Sequence, residues 1–131
     1  MTKEILDLLD KSVGFIATKG TCGNPRVRPF QSPLFYEGKL YYCTSYKKNF
    51  YKHTQAHSGV ELSAYDGNSW VRIRGEAVFE ENLAVKKAMF EKYPSLKELY
   101  QSPENKDFAV FYFKNPSIKI QDFNGRDEIV K

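Results

Sequence analysis

Cysteine, tryptophan and histidine are scarce in this chain, whose 131 residues hold two Cys, one Trp and two His. Two thiols, Cys22 and Cys43, cannot build a disulfide framework; without a secretory segment they are expected to be reduced, in a cytoplasmic setting. The start, Met1-Thr2-Lys3-Glu4, has no basic flank and no long apolar run, so neither export nor a membrane span is expected. His53 and His57 stand i, i+4 on one predicted helix. They lack the glutamate of a zinc-protease helix, and no Cys or carboxylate cluster completes a shell, so a solvated pair is expected and no metal. No Ser/His/Asp arrangement is legible, and no serine sits in an elbow motif. A glycine-rich loop between alternating strands and helices is also missing, which argues against a dinucleotide-binding fold. With no repeat, low-complexity tract or linker, residues 1–131 are read as one domain.

Aromatic residues are abundant instead. Ten Phe and nine Tyr favour strands and a buried or shared surface, and the net charge of +4 suits an anionic ligand or a nucleic acid equally. Thr2 is placed to cap an amphipathic helix running to about Asp10, with Ile5, Leu8 and Leu9 on one side. Val13 to Thr18 reads as a strand, Lys19 to Pro25 as a turn, and Arg26 to Tyr36 as the returning strand. Glu37-Gly38 turns the chain into a strand over Lys39–Thr44, followed by a helix from about Lys48 to His57 that ends near Gly59. Val60–Tyr65 alternates as a half-buried strand, and Asp66-Gly67-Asn68 marks a hairpin. In the next strand Val71, Ile73, Ala77 and Phe79 share one face, opposite Trp70, Arg72, Arg74 and Glu76. Asn82 caps a helix to Tyr93 that Pro94 stops, and Ser95–Tyr100 reads as another short helix. Phe108–Phe113, apolar on both faces and therefore central, and Ser117–Phe123 are the last strands. Hairpin joints favour antiparallel pairing, and the short strand spacing favours a mainly β barrel.

Three places can carry chemistry. Pro29 and Pro33 cannot donate to a ladder, so the strand Arg26–Tyr36 is an edge or is locally irregular. Its free N–H and C=O groups would suit a flat heterocycle, and Arg26 or Arg28 a phosphate; a proline-protected edge with solvated arginines explains the same residues. Thr44, Ser45, Lys47 and Lys48 surround a predicted helix start. Lysines there oppose the helix dipole, so a bound anion would offset a cost, and an ordinary Ser or Thr cap is the alternative. Trp70, on the polar face beside Arg72 and Arg74, calls for a cover: a ring ligand, a second subunit or a loop of the same chain. A basic β-barrel that stacks single-stranded nucleic acid on its aromatics is a rival reading; the expected burial of Phe108–Phe113 opposes it.

These pieces, in this order, resemble the FMN-binding split barrel of the pyridoxamine 5'-phosphate oxidase-like family. The residues that carry the likeness are Val13-Gly14-Phe15-Ile16-Ala17-Thr18, Pro25-Arg26-Val27-Arg28-Pro29-Phe30, Leu40-Tyr41-Tyr42-Cys43-Thr44-Ser45 with Lys48, Val60-Glu61-Leu62-Ser63 and Trp70-Val71-Arg72-Ile73-Arg74-Gly75-Glu76-Ala77. The resemblance implies a six-stranded antiparallel split β-barrel with short flanking helices, FMN as cofactor, and a homodimer with flavin at the interface. It implies that the strand Arg26–Gln31, with Arg26, Val27, Arg28, Pro29 and Phe30, lies along the isoalloxazine largely through its main chain, and that its arginine helps with the phosphate. Thr44, Ser45, Lys48 and Asn49 would take the phosphate and ribityl chain, and Trp70, Val71 and Arg72 would approach from the partner subunit. The true oxidases carry an Arg-Lys pair where this chain has Asn49 and Phe50, which shifts phosphate binding to Lys47 and Lys48. They also end in an arginine-rich tail that Asp122–Lys131 does not match. The resemblance therefore implies a flavin-dependent oxidoreductase other than a pyridoxamine phosphate oxidase, nearer the general-stress proteins and nitroimidazole-resistance reductases, without a named catalytic side chain. A non-catalytic binder or sensor of flavin, F420 or haem is the other implication; neither nucleic acid nor membrane is an expected partner.

Overall fold

The computed structural model describes residues 1–130; Lys131, the end of the tail considered above, lies outside the described residues. Helix α1 (Lys3–Lys11) starts where Thr2 accepts a hydrogen bond from the Ile5 amide, and it buries Ile5, Leu8 and Leu9. The strands are β1 (Gly14–Lys19), β2 (Pro25–Phe30), β3 (Leu34–Tyr36), β4 (Lys39–Ser45), β5 (Gly59–Tyr65), β6 (Ser69–Glu80), β7 (Phe108–Asp122) and β8 (Asp127–Val130). Three further helices are α2 (Asn49–Ala56), α3 (Leu83–Lys92), which Asn82 caps, and the short α4 (Leu96–Tyr100). Among the described residues no helix is long and apolar enough to cross a membrane.

All pairings are antiparallel. The sheet runs β2-β1-β5-β6-β7-β4-β3, with β8 added to the later half of β7. It curls because inward-facing residues from both margins share one core. Phe30, on the outermost strand β2, packs edge-on against Tyr42 of β4 and Phe111 of β7, at centroid distances of 6.1 and 5.6 Å. No ladder joins β2 to β4 among the described residues. Pro29 lacks an N–H to offer, and the chain leaves the ladder at Gln31-Ser32-Pro33. That gap is the split of an antiparallel split barrel.

The described residues form eight strands, where the residue pattern marks seven and the resemblance implies six. The segment Arg26–Tyr36 divides into β2 and β3 at the Ser32-Pro33 break, and β8 was not anticipated. Conversely, Phe108–Phe113 and Ser117–Phe123 are one strand, β7, of 15 residues. Lys114-Asn115-Pro116 looks like a turn, but it is a bulge where the β6–β7 register shifts between Arg74 and Glu76. Asn115 has φ 51°, and Gly75 lies so close that a Cβ there would stand 2.9 Å from the Lys114 carbonyl oxygen. The kink re-aims the long hairpin and lets the sheet close around its core.

As expected, the first half of β7 is central. Phe111 and Phe113 face the barrel core, while Phe108 and Val110 face a second cluster with Val85, Met89, Phe90 and Leu96 from α3 and α4. These aromatics are therefore enclosed on both faces and offer no stacking platform on the surface.

Candidate functional site

A cleft of about 820 Å³ opens at the split. Strand β2 forms one wall, and the end of β4 with the first turns of α2 forms the floor. The opposite wall comes from the α3–α4 junction and α4, through Tyr93, Ser95, Leu96, Leu99 and Tyr100. Of the residues singled out from sequence, Arg26, Val27, Arg28, Pro29, Phe30, Thr44, Lys48 and Asn49 are brought together here. Arg26, Arg28 and Lys48 supply positive charge, and no Asp or Glu is among the lining residues.

Arg28 sits deepest of the cations. Its Nη1 donates to the Ile16 carbonyl at 3.2 Å and to Thr18 Oγ1 at 2.8 Å. Its Nη2 lies 3.2 Å from His53 Nδ1, and the guanidinium carbon stands 5.2 Å from the centre of the Phe50 ring. Every protein acceptor it has is neutral, and no carboxylate pairs with it among the described residues. Burial, and then the neighbouring Arg26, make its charge less favourable than usual. A partly desolvated cation without a counter-ion is what an anion site presents before it is filled.

The start of α2 adds donors. Lys48 occupies the N-cap position and caps nothing with its side chain; the Tyr51 amide donates to the Lys48 carbonyl at 3.1 Å, and the Asn49 and Phe50 amides keep their capacity for an outside acceptor. The Ser45 hydroxyl, expected among the ligand contacts, accepts instead from the Lys47 amide at 3.2 Å. Lys47 is turned to Asp107, 3.2 Å away. Neither residue lines the cleft; Lys48 does.

Trp70, Val71 and Arg72 lie outside the cleft of their own chain. Val71 is in the barrel core, and Arg72 pairs with Glu61 at 2.7 Å. Trp70 is half-buried: its ring rests on Phe123, with centroids 4.9 Å apart, and its Nε1 donates to Gln121 at 3.1 Å. A cover from the same chain thus exists, but Phe123 is itself 77% exposed and Tyr65, packed against it, is exposed too.

His53 corrects the expectation of a solvated pair. Helix α2 packs against β1, which turns His53 inward to 7% exposure while His57 stays outside as the C-cap. Desolvation, and then Arg28, hold the imidazole below its usual pKa. Thr18, His53 and the α4 wall were not legible as site residues. Only the docking of α2 on β1, and of α4 beside the split, places them there, and no local motif announces either. At the rim, the exposed Cys22 thiol accepts from Arg26 at 3.3 Å. The Asn24 backbone, and then Arg26, favour its thiolate. Cys43 is half-buried on the cleft wall, with its amide donating to Ser32 Oγ at 3.1 Å.

The chain is thus an antiparallel split barrel whose seam is cationic, with no carboxylate lining it among the described residues. The chain matches the family model described as pyridoxamine 5'-phosphate oxidase over residues 1–121, and it belongs to that family. A NimC/NimA family protein from Clostridium acetobutylicum is 35% identical; the match covers 97% of this chain and 89% of that one, with a TM-score of 0.87. A protein related to general stress protein 26, also from C. acetobutylicum, shares the fold at 16% identity, with a TM-score of 0.77 and coverage of 98% and 92%. A haem-binding protein from Mycobacterium smegmatis shares it at 19% identity and a TM-score of 0.73, over 93% of this chain and 53% of that one. No curated protein sequence matches the chain significantly.

Proposed function

We propose that this chain, acting as one domain, binds FMN in the cleft and works in the cytoplasm as a homodimeric flavin-dependent oxidoreductase. The observation that carries the reading is Arg28, a guanidinium held by neutral acceptors in a cleft that no carboxylate lines among the described residues, beside the start of α2, which no side chain caps. The donor set fits the cofactor. Arg28, Arg26 and Lys48 hold its phosphate, the Asn49 and Phe50 amides and the Asn49 side chain add neutral donors, and the unpaired outer edge of β2 meets the edge of the ring. Bound FMN supplies the hydride and electron transfer chemistry; the protein binds it, orients it and limits what reaches it.

The outer face of the sheet supports the dimer. Val27 is 66% exposed and Phe15 47% exposed. In register, Val27 lies opposite Ala17 and Pro29 opposite Phe15, so their apolar side chains form adjacent rows on β1 and β2. A second copy seated there would cover them and bring its Trp70–Arg72 segment towards the flavin. Pyridoxamine phosphate is not the proposed substrate. Asn49 and Phe50 do not supply the paired cations of the oxidases, and the tail arginine, Arg126, is tied to Glu4 at 2.8 Å and Glu128 at 2.9 Å.

The test is titration of the purified protein with FMN, followed by anaerobic reduction with NAD(P)H and a panel of nitro and quinone acceptors. Saturable FMN binding with turnover supports an enzyme, and binding without turnover supports a carrier or sensor. The haem-binding relative makes haem the second reading; a Soret band on haem titration with no uptake of FMN would favour it.

A further inference from the structure

Resting on the reading of the cleft as a site for FMN phosphate, we propose that His53 is a positioning residue. Its unprotonated Nδ1 fixes the plane of the Arg28 guanidinium, and through it the preference of the cleft for FMN over riboflavin. A guanidinium has five N–H donors. The Nη1 pair is spent on the Ile16 carbonyl and Thr18 Oγ1 of β1, with the Arg26 carbonyl of β2 a longer contact at 3.5 Å. Anchors at Nη1 alone leave the planar group free to swing about that end. The contact from Nη2 to His53 Nδ1, at 3.2 Å, is the second point that stops the swing. The Phe50 ring, 5.2 Å from the guanidinium carbon, offers one face for it to rest on. Nε–H and the remaining Nη2–H then have no acceptor among the described residues, and these are the hydrogens that a phosphate oxygen pair can take.

The histidine is built for this task. Thr18 Oγ1 accepts from Arg28 at 2.8 Å and stands 3.2 Å from the same Nδ1. With Nδ1 bare, the Thr18 proton can turn to it as well, and the three side chains form one hydrogen-bonded cluster. A guanidinium can only donate, so the Arg28 contact makes Nδ1 the bare nitrogen, and the imidazole is neutral with its proton on Nε2. The ring is 7% exposed and its helix is packed on β1, so the acceptor is held in place before any ligand arrives.

Holding one long side chain in its bound orientation is worth roughly a three- to tenfold gain in affinity. Wild type, His53→Ala and His53→Asn are titrated with FMN and with riboflavin at neutral pH, following quenching of flavin fluorescence. His53→Ala is expected to lose roughly three- to tenfold in FMN affinity and nothing in riboflavin affinity. His53→Asn, whose amide oxygen replaces Nδ1, is expected to restore FMN binding. Should His53→Ala fail to fold, His53→Gln, whose amide reaches past the Nδ1 position, is expected to show the same selective loss. Unchanged FMN binding in these variants, equal losses for both flavins, or no rescue by asparagine would overturn the role of His53 while leaving the FMN site standing. A wild-type protein that binds neither flavin would instead overturn the reading of the cleft, and this inference with it.

Discussion

Replacing Arg28 with methionine separates what the guanidinium does for the ligand from what it does for the fold. Methionine keeps most of the aliphatic stem and removes the charge, the donors and the guanidinium's rest on the Phe50 ring. In the folded protein the lost partners are the Ile16 carbonyl, Thr18 Oγ1, His53 Nδ1 and, at 3.5 Å, the Arg26 carbonyl. Thr18 can still donate to His53, and water from the open cleft can reach the rest. The expected change in unfolding free energy is therefore about 1 kcal/mol or less. Ligand binding should suffer more. Two free N–H groups would form charge-assisted bonds to phosphate, each worth about 1.5–3 kcal/mol. Arg26 and Lys48 remain in the cleft and recover part of that. A net loss of about 2–3 kcal/mol weakens FMN roughly 30- to 150-fold, while riboflavin, which has no phosphate, should bind as before. Fluorescence titration with both flavins, alongside a chemical melt, measures all three quantities. An equal loss for both flavins, or FMN binding within threefold of wild type, would refute the assignment of the phosphate to Arg28.

Gly75→Ala should lower stability by about 1–3 kcal/mol in a urea melt, because its Cβ would meet the Lys114 carbonyl at 2.9 Å, inside the bulge that bends β7. Phe15→Glu places a charge on the exposed apolar rows of β1 and β2; light scattering should report a monomer, with circular dichroism and melting of the fold little changed. Acid should act through His53. Its folded pKa is depressed by burial and by Arg28, so the unfolded chain binds its proton first. Stability should then fall as pH drops below about 6.5 towards the folded pKa, and rise again with pH. His53→Asn lacks this component, so its melting temperature should decline less than that of wild type between about pH 7 and pH 5. Parallel declines would show that His53 is not held neutral.

Most local elements were legible because their punctuation is local. Thr2 and Asn82 cap helices where a hydroxyl or amide precedes an apolar face. Glu37-Gly38 takes positive φ at both residues, 47° and 80°, as its hairpin requires. What was misjudged depends on distant partners. Lys114-Asn115-Pro116 punctuates like a turn, yet Gly75 across the hairpin absorbs it as a bulge. Strand β8 carries two acids and no alternation, and Arg126 anchors its approach by reaching Glu4, at the other end of the chain. The candidate site divides in the same way. The β2 arginines and the start of α2 could be seen, since each is a run of neighbours with a stated electrostatic logic. Lys47, adjacent to Lys48 in sequence, is claimed by Asp107 from a remote loop. His53 and Thr18 gained meaning only once α2 lay on β1.

The central claim is that cations of β2 and α2 converge on one anionic headgroup beside a flat ring shared by two chains. Its most direct measurement is the absorbance spectrum and molar mass of the purified protein after incubation with excess FMN and removal of unbound ligand, with mass analysis of whatever is released. A yellow dimer that yields one FMN per chain is the predicted result. A colourless monomer under the same conditions would contradict it.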